Sequence, residues 1–206
     1  MGGLTMVATE APRHTHGADR DLLWETWEEL DLPPGSRAEI LRGAIYLSPT
    51  PMSRHNRLYF KLAKLLNDVV NEHDWAVINT ETVLLPATDE AAVPDMVVVP
   101  DEVLDEHDDW RLPPDDVQLV AEITSDSTRK RDLTVKLESY AKANIPIYLV
   151  IDQFDGEGTV TVYHQPDGTG RYLQHQTVPF GEPIRLPKPF DIELDTMEFQ
   201  SRRRKA

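Results

Sequence analysis

Two acidic residues and one lysine stand where a phosphodiester hydrolase would need them. Asp95 follows Pro94 and precedes the apolar run Met96-Val97-Val98-Val99. Glu122 lies near the end of a second run, Val117-Gln-Leu-Val-Ala-Glu-Ile123, and Lys136 follows on a helical stretch. Short runs this apolar suit strands buried on both faces. Asp95 and Glu122 then sit at or near the ends of adjacent strands, where their carboxylates can converge. Mg²⁺ takes hard oxygen ligands and keeps several waters, so two carboxylates and a backbone carbonyl are a sufficient protein contribution. A cation held there polarises a phosphoryl oxygen and lowers the pKa of an attacking water. A lysine beside it orients that water and offsets developing negative charge. Lys136 has the spacing for this role, because Asp132, Lys136 and Tyr140 follow one another at i, i+4 on one helix face.

Each residue also has a plainer reading. Asp95 after a proline can cap a turn, and Lys136 can pair on a surface with Asp132 or Tyr140. Glu122 is merely solvated if its strand ends one residue early. It is the most telling of the three, since a carboxylate in an apolar run is costly to bury unless paired or metal-bound. Tyr140 suits the core as well as a site wall, and His55 suits a helix start slightly better than a phosphate contact. His14, His16, His73, His107, His164 and His175 are scattered without zinc spacing. There is no nucleophile elbow, so Ser125, Ser127 and Thr128 read as a helix-start loop. Phosphate-loop and dinucleotide fingerprints are missing too.

The elements that must position these groups can be traced along the chain. Residues 1–19 read as a disordered arm, 20–198 as a single domain and 199–206 as a basic tail. Leu23, Trp27 and Leu30 mark a short amphipathic helix over Asp21–Leu30, ended by Pro33-Pro34-Gly35. Arg37–Leu41 is expected as a second short helix and Gly43–Ser48 as a strand. Ser53 is a candidate N-cap for the strongest helix, about His55–Glu72, whose stripe is Leu58, Leu62, Leu65, Leu66, Val69 and Val70. Ala76–Leu85 is expected as one strand, and the acidic segment between Val99 and Val117 as an exposed loop. A helix over Ser127–Asn144, a buried strand at Ile147–Asp152 and antiparallel strands at Thr159–His164 and Arg171–Val178 complete the reading. The order predicts a mixed α/β (α+β) domain: a mixed central sheet flanked by helices, with extra antiparallel strands at the C-terminal end.

Composition sets limits on function. A chain of 206 residues, 40% hydrophobic and 28% charged, can bury a real core. No apolar stretch reaches the roughly 18 residues of a membrane helix, and the N-terminus lacks a signal-peptide pattern, so a cytoplasmic protein is expected. With no cysteine, disulfides, thiol catalysis and Cys-based zinc sites are excluded. The net charge of −15 opposes nucleic-acid binding by a basic face. Arg129-Lys-Arg131, Lys136 and Lys142 form a local basic stretch, and Arg202-Arg-Arg-Lys205 a second. DNA binding is therefore expected to be weak, or guided by a partner.

The segment from about Arg37 to Asp152 resembles the Uma-two type of restriction-endonuclease-like proteins, within the PD-(D/E)XK nuclease superfamily. The matching pieces occur in the family's order: Glu39-Ile-Leu-Arg-Gly43, Ser48-Pro-x-Pro51 with His55, Pro94-Asp95, Ala121-Glu-Ile-Thr-Ser125, Arg131-Asp-x-x-x-Lys136, Tyr140 and Ile147-Tyr-Leu-Val-Ile-Asp152. The resemblance implies a restriction-endonuclease-like core and a divalent-metal endonuclease acting on DNA. By it, Asp95 and Glu122 are metal ligands for Mg²⁺, with Mn²⁺ as a substitute, and Glu39 completes the acidic cluster. The superfamily lysine two residues after the glutamate is replaced here by Thr124, and Lys136 fits its role from the helix. Two rivals stay open: a degenerate interaction or scaffold module on the same fold, and a hydrolase of another phosphoester. A homodimer is expected, since duplex cleavage needs two cuts, with Tyr163, Tyr172 and Phe180 as its contact.

Overall fold

The computed structural model describes residues 17–106 and 110–200. Helix α1 (Ala18–Glu28) leads into strands β1 (Arg37–Leu41) and β2 (Ala44–Ser48), and the long α2 (Ser53–Glu72) follows. Then come β3 (Trp75–Ile78), β4 (Thr82–Leu85), β5 (Glu90–Ala92) and β6 (Met96–Pro100). A short α3 (Asp101–Glu106), β7 (Arg111–Leu112) and a 3₁₀ turn (Pro114–Asp116) precede β8 (Leu119–Ile123). Helical residues continue through α4 (Arg129–Arg131), a π-helical turn (Asp132–Lys136) and α5 (Leu137–Lys142) to β9 (Ile147–Asp152). The chain ends in β10 (Thr159–Pro166), β11 (Tyr172–Pro179), the small pair β12 (Ile184–Arg185) and β13 (Glu193–Leu194), and a 3₁₀ turn at Thr196–Phe199.

Two mixed sheets carry the architecture. One has the order β11-β10-β9-β8-β6-β3, parallel only between β8 and β9; the other has the order β2-β1-β5-β4-β7, parallel only between β4 and β7. Side chains alternate between the two faces of a strand, and the first sheet sorts its residues accordingly. Met96, Val98, Leu119, Ala121 and Ile123 face α2, whose buried stripe is Leu58, Leu62, Leu66, Val69 and Val70. Val97, Val99 and Val120 face the other way, toward Leu41, Val83, Leu85 and Ala92 of the second sheet and Tyr140 of α5. On the far side of the second sheet, Ala38 and Ile40 pack against Trp27 of α1.

Several expectations are corrected. Arg37–Leu41 is a strand, not a helix: it pairs with β2 through a two-residue turn in which Arg42 (φ 53°) and Gly43 (φ 71°) both take positive φ. A primed hairpin turn requires that conformation at both central residues, and it matches the twist of the flanking strands. The single strand expected over Ala76–Leu85 is two, in different sheets, separated at Asn79–Glu81 where Thr80 has φ 68°. Ser53 is the first helical residue rather than the N-cap, a place taken by Met52 without a side-chain cap bond. The acidic segment before Val117 contains α3, β7 and a 3₁₀ turn. Helix α1 begins at Ala18, inside the stretch read as an arm; residues 1–16 and the basic tail from 201 lie outside the described residues. Phe180 is buried against Phe199 rather than exposed for a dimer contact, and the partly exposed Tyr172 donates its hydroxyl to the Ile145 carbonyl.

The hairpin gives a test by sign. No atom would meet a Cβ at Gly43, so Gly43→Ala changes only backbone preference. At positive φ it should cost about 1 kcal/mol, seen as a melting temperature lower by about 2–4 °C. A rise in melting temperature would contradict the positive φ at Gly43 and with it the turn.

Candidate functional site

Antiparallel pairing brings the two predicted acids together. Met96 pairs with Ala121, which sets Asp95 across from Glu122 at the end of the β6–β8 ladder. By alternation both side chains share the face of Val97, Val99 and Val120, the layer between the sheets. The Asp95 Oδ2 accepts from the Ile123 amide at 2.8 Å, tying the two strand ends. Glu39 arrives from the other sheet on β1, on the same face as Leu41, and its Oε1 accepts from the Val93 amide at 2.8 Å. Both elements are needed for it to get there: strand alternation turns Glu39 inward while Ala38 and Ile40 meet α1.

Lys136 closes the cluster from the π turn. Its Nζ lies 2.7 Å from Glu39 Oε1 and 2.8 Å from Glu122 Oε1, with all three side chains at most 5% exposed. A π turn is wider than the α-helix around it and is often found at functional sites; here both Asp132 and Lys136 are buried by it. Tyr140 donates to Glu122 Oε1 at 2.9 Å and is fully buried, so it is core residue and site wall at once. Asp132 is also buried, yet neither of its oxygens makes a hydrogen bond among the described residues.

Two partners of Asp95 went unread or under-read in the sequence. Arg37 donates to Asp95 Oδ1 at 2.8 Å, and His55 Nε2 lies 2.9 Å from Oδ2. Nothing local marks Arg37, since its strand was not anticipated. His55 lies in the first turn of α2 and faces the site rather than solvent. Thr124, at the position of the superfamily lysine, is fully buried and donates to Asp152 Oδ1 at 3.0 Å. It serves as a joint between β8 and β9 and brings no charge to the site.

The electrostatics follow from this crowding. Four buried carboxylates (Glu39, Asp95, Glu122, Asp132) share two permanent cations, Arg37 and Lys136. Burial alone would push Asp95 up, but His55, Arg37 and the Ile123 amide outweigh it and bring its pKa down to about 2. Glu122 is raised well above the carboxylate range: burial dominates, Lys136 opposes it, and Asp95, Asp132 and Glu39 add repulsion. Burial would lower Lys136, yet Glu122, Glu39 and Asp132 hold it protonated, above an ordinary lysine. Asp132 is pushed up to about 6, by burial first, with Lys136 opposing. With four acids against two permanent cations, the cluster is short of positive charge.

The donor set fits a hard divalent cation. Lys136 and Tyr140 both use Glu122 Oε1, and Lys136 and Val93 both use Glu39 Oε1. Among the described residues, no donor engages the second oxygen of either acid. Glu39, Asp95 and Glu122 all line one cavity of about 560 Å³, together with His55, Lys136 and Asp132. No three His, Asp or Glu side chains among the described residues form a ready-made cation cage. Mg²⁺ does not require one, because it is bound through one or two carboxylates, water and substrate phosphate. Asp95 and Glu122 are the residues that would hold it, Glu122 through its open oxygen and Asp95 only by sharing or exchanging a donor now on its two oxygens. The N-terminus of α2, with Met52, Arg54 and His55, opens on the same cavity and has no acidic residue in its first turn; a helix N-terminus of this kind favours an anion.

Comparison with known proteins gives the family and the fold. The family model Uma2, described as "Putative restriction endonuclease", matches residues 24–197, and the chain belongs to that family. Among solved structures, the crystal structure of "a putative nuclease belonging to DUF820" from Anabaena variabilis ATCC 29413 is similar, with a TM-score of 0.67 at 18% identity. The match covers 86% of this chain and 96% of that one, and it shows a shared fold. None of the curated proteins matches the chain. No helix among the described residues is long and apolar enough to cross a membrane.

Two stability tests follow, both in EDTA. Lys136→Met leaves Glu39 and Glu122 buried without their cation and should cost about 3–5 kcal/mol in urea unfolding near pH 8. Adding Glu122→Gln should recover part of that loss; a neutral Lys136→Met would contradict the buried pairing. For Asp132, folding raises the pKa from an ordinary 3.8 to about 6, so the folded state holds the proton more tightly. The penalty is absent below the lower value, grows as pH rises, and is complete above the upper one. Asp132→Asn should therefore add stability on the order of 3 kcal/mol near neutral pH and almost none near pH 3.5. An equal change at both pH values would contradict this.

Proposed function

We propose that this member of the Uma2 family is a divalent-metal-dependent endonuclease that hydrolyses DNA phosphodiester bonds. The observation that carries the reading is the convergence of Asp95, Glu122 and Glu39 on one cavity, with Lys136 fixed between two of them. A cation bound by Asp95 and Glu122, Mg²⁺ or in its place Mn²⁺, would supply Lewis-acid polarisation of the phosphoryl oxygen and an acidified water.

The chain's own residues supply the rest. Lys136 stays protonated, so it acts as a charge and hydrogen-bond donor rather than as a base. From its position it orients a water beside Glu122 and stabilises negative charge developing on the phosphate. Glu39 and Tyr140 hold Lys136 and Glu122 in register and keep the arrangement rigid. Arg37 and His55 hold Asp95 ionised at any pH near neutrality. The α2 N-terminus and Arg54 favour the approach of a phosphate to a cavity that is otherwise acidic.

A second reading, a module on the same fold that has lost catalysis, is motivated by the net charge of −15 and by the protein donors already on both oxygens of Asp95. One assay separates the two. Wild type should cut DNA with Mg²⁺ or Mn²⁺ and not with EDTA, while Asp95→Ala and Glu122→Ala should each lose at least about 100-fold with circular dichroism unchanged. Undiminished cleavage in both folded variants would refute the nuclease site; no cleavage by wild type under any condition would favour the module.

A further inference from the structure

The cavity has an apolar rim that the chemistry above does not use. Pro49, Pro51 and Met52 from the β2–α2 connection line it, as does Phe154 from the turn after β9. Met52 is 82% exposed and Phe154 49%. Single exposed apolar residues are ordinary, but these four gather at the mouth of one acidic cavity.

Phe154 is displayed by a built turn. Its amide donates to Asp152 Oδ1 at 3.0 Å. Asp152 is gripped by Arg129 Nε at 2.8 and 3.0 Å and by the Thr124 hydroxyl at 3.0 Å. The Gln153 side chain donates to the Thr124 carbonyl at 2.8 Å. The backbone that displays the ring is therefore tied to the strand that carries Glu122. Glu122 pairs with Val150 in the parallel β8–β9 ladder, and Phe154 comes four residues later, so at most about 14 Å of chain separates the two levels.

We propose that the substrate strand enters this cavity unpaired, with one nucleobase stacked on Phe154 and its phosphate carried in to Asp95 and Glu122. The proposal rests on the nuclease reading of the site and names its substrate as single-stranded DNA, or a locally unpaired stretch. Three observations support it. The acids lie in a partly open cavity of about 560 Å³, the scale of a small-molecule pocket rather than of a duplex-wide groove. Arg37 and Lys136 are engaged by Asp95, Glu122 and Glu39, which leaves Arg54 and the α2 N-terminus to meet a phosphate, and with a charge of −15 on the chain phosphate neutralisation is limited. Stacking of a base on an aromatic ring needs no net charge and tolerates any sequence.

The test is binding of a fluorescein-labelled oligothymidine and its matched duplex, with Ca²⁺ replacing Mg²⁺ to hold back cleavage. The single strand should bind at least about tenfold tighter than the duplex. Phe154→Ala should weaken it by about 5- to 150-fold, the range for one stacked base, with the salt dependence unchanged. Phe154→Trp should bind like wild type, and melting temperatures of both variants should stay near it. Equal affinity for duplex, full affinity in Phe154→Ala, or no binding of the oligonucleotide by folded protein would each overturn the proposal. Cleavage assays run alongside keep the two readings apart. Phe154-dependent binding without any cutting would sink the nuclease and leave the base platform; Glu122-dependent cutting with Phe154→Ala unimpaired in binding would do the reverse.

Discussion

One ammonium group connects the parts of this molecule that do not otherwise share a hydrogen-bonded ladder. Lys136 reaches from the helical segment to Glu122 on the first sheet and to Glu39 on the second. Buried charges are tolerated only when paired and hydrogen-bonded, so the two sheets, the π turn and Tyr140 must keep their relative positions for the cluster to persist. The same requirement explains why Glu122 can sit in a strand that is otherwise apolar throughout. Its burial is compensated by Lys136 and Tyr140 on one oxygen, and the other oxygen is left to the cavity.

That compensation is incomplete, and the shortfall is informative. Asp132 lies in the interior beside three other carboxylates, with neither oxygen in a well-formed hydrogen bond among the described residues, a placement that costs stability. Perturbed acids of this kind gather at functional sites because charge is arranged there for a reaction rather than for the fold. A deficit of positive charge is what a site needs if a cation arrives from solution. The rigid supports around it, Thr124 with Asp152 and Arg129 on one side and Arg37 with His55 on the other, are fully or partly shielded from water.

Much of this could be read from the chain, and the limits have physical causes. The runs at β6, β8 and β9 are short and apolar, so their strand character and the pairing of Asp95 with Glu122 were legible from local pattern. The α2 stripe was equally plain. Lys136 was legible through its spacing from Asp132 and Tyr140, although the π turn that buries it has no sequence signature. Glu39 was named, but on the wrong element: Arg42-Gly43 is a less familiar primed turn than Asn-Gly, and a five-residue strand with an internal glutamate resembles a short helix. Arg37 was lost with that strand. Its pairing with Asp95 spans 58 positions, and a contact so distant leaves no trace in periodicity. Asp152 and Phe154 were invisible as a unit because their meaning depends on Thr124 across the parallel ladder.

On the proposed reading, the acid cluster, with four carboxylates against two permanent cations, takes a divalent cation between Asp95 and Glu122. Calorimetric titration of Mn²⁺ into the metal-free chain addresses this without reference to any substrate. A single saturable site in wild type that disappears in Glu122→Gln, with the variant still folded, is the expected result. No binding to folded wild type, or binding that Glu122→Gln leaves untouched, would contradict the account.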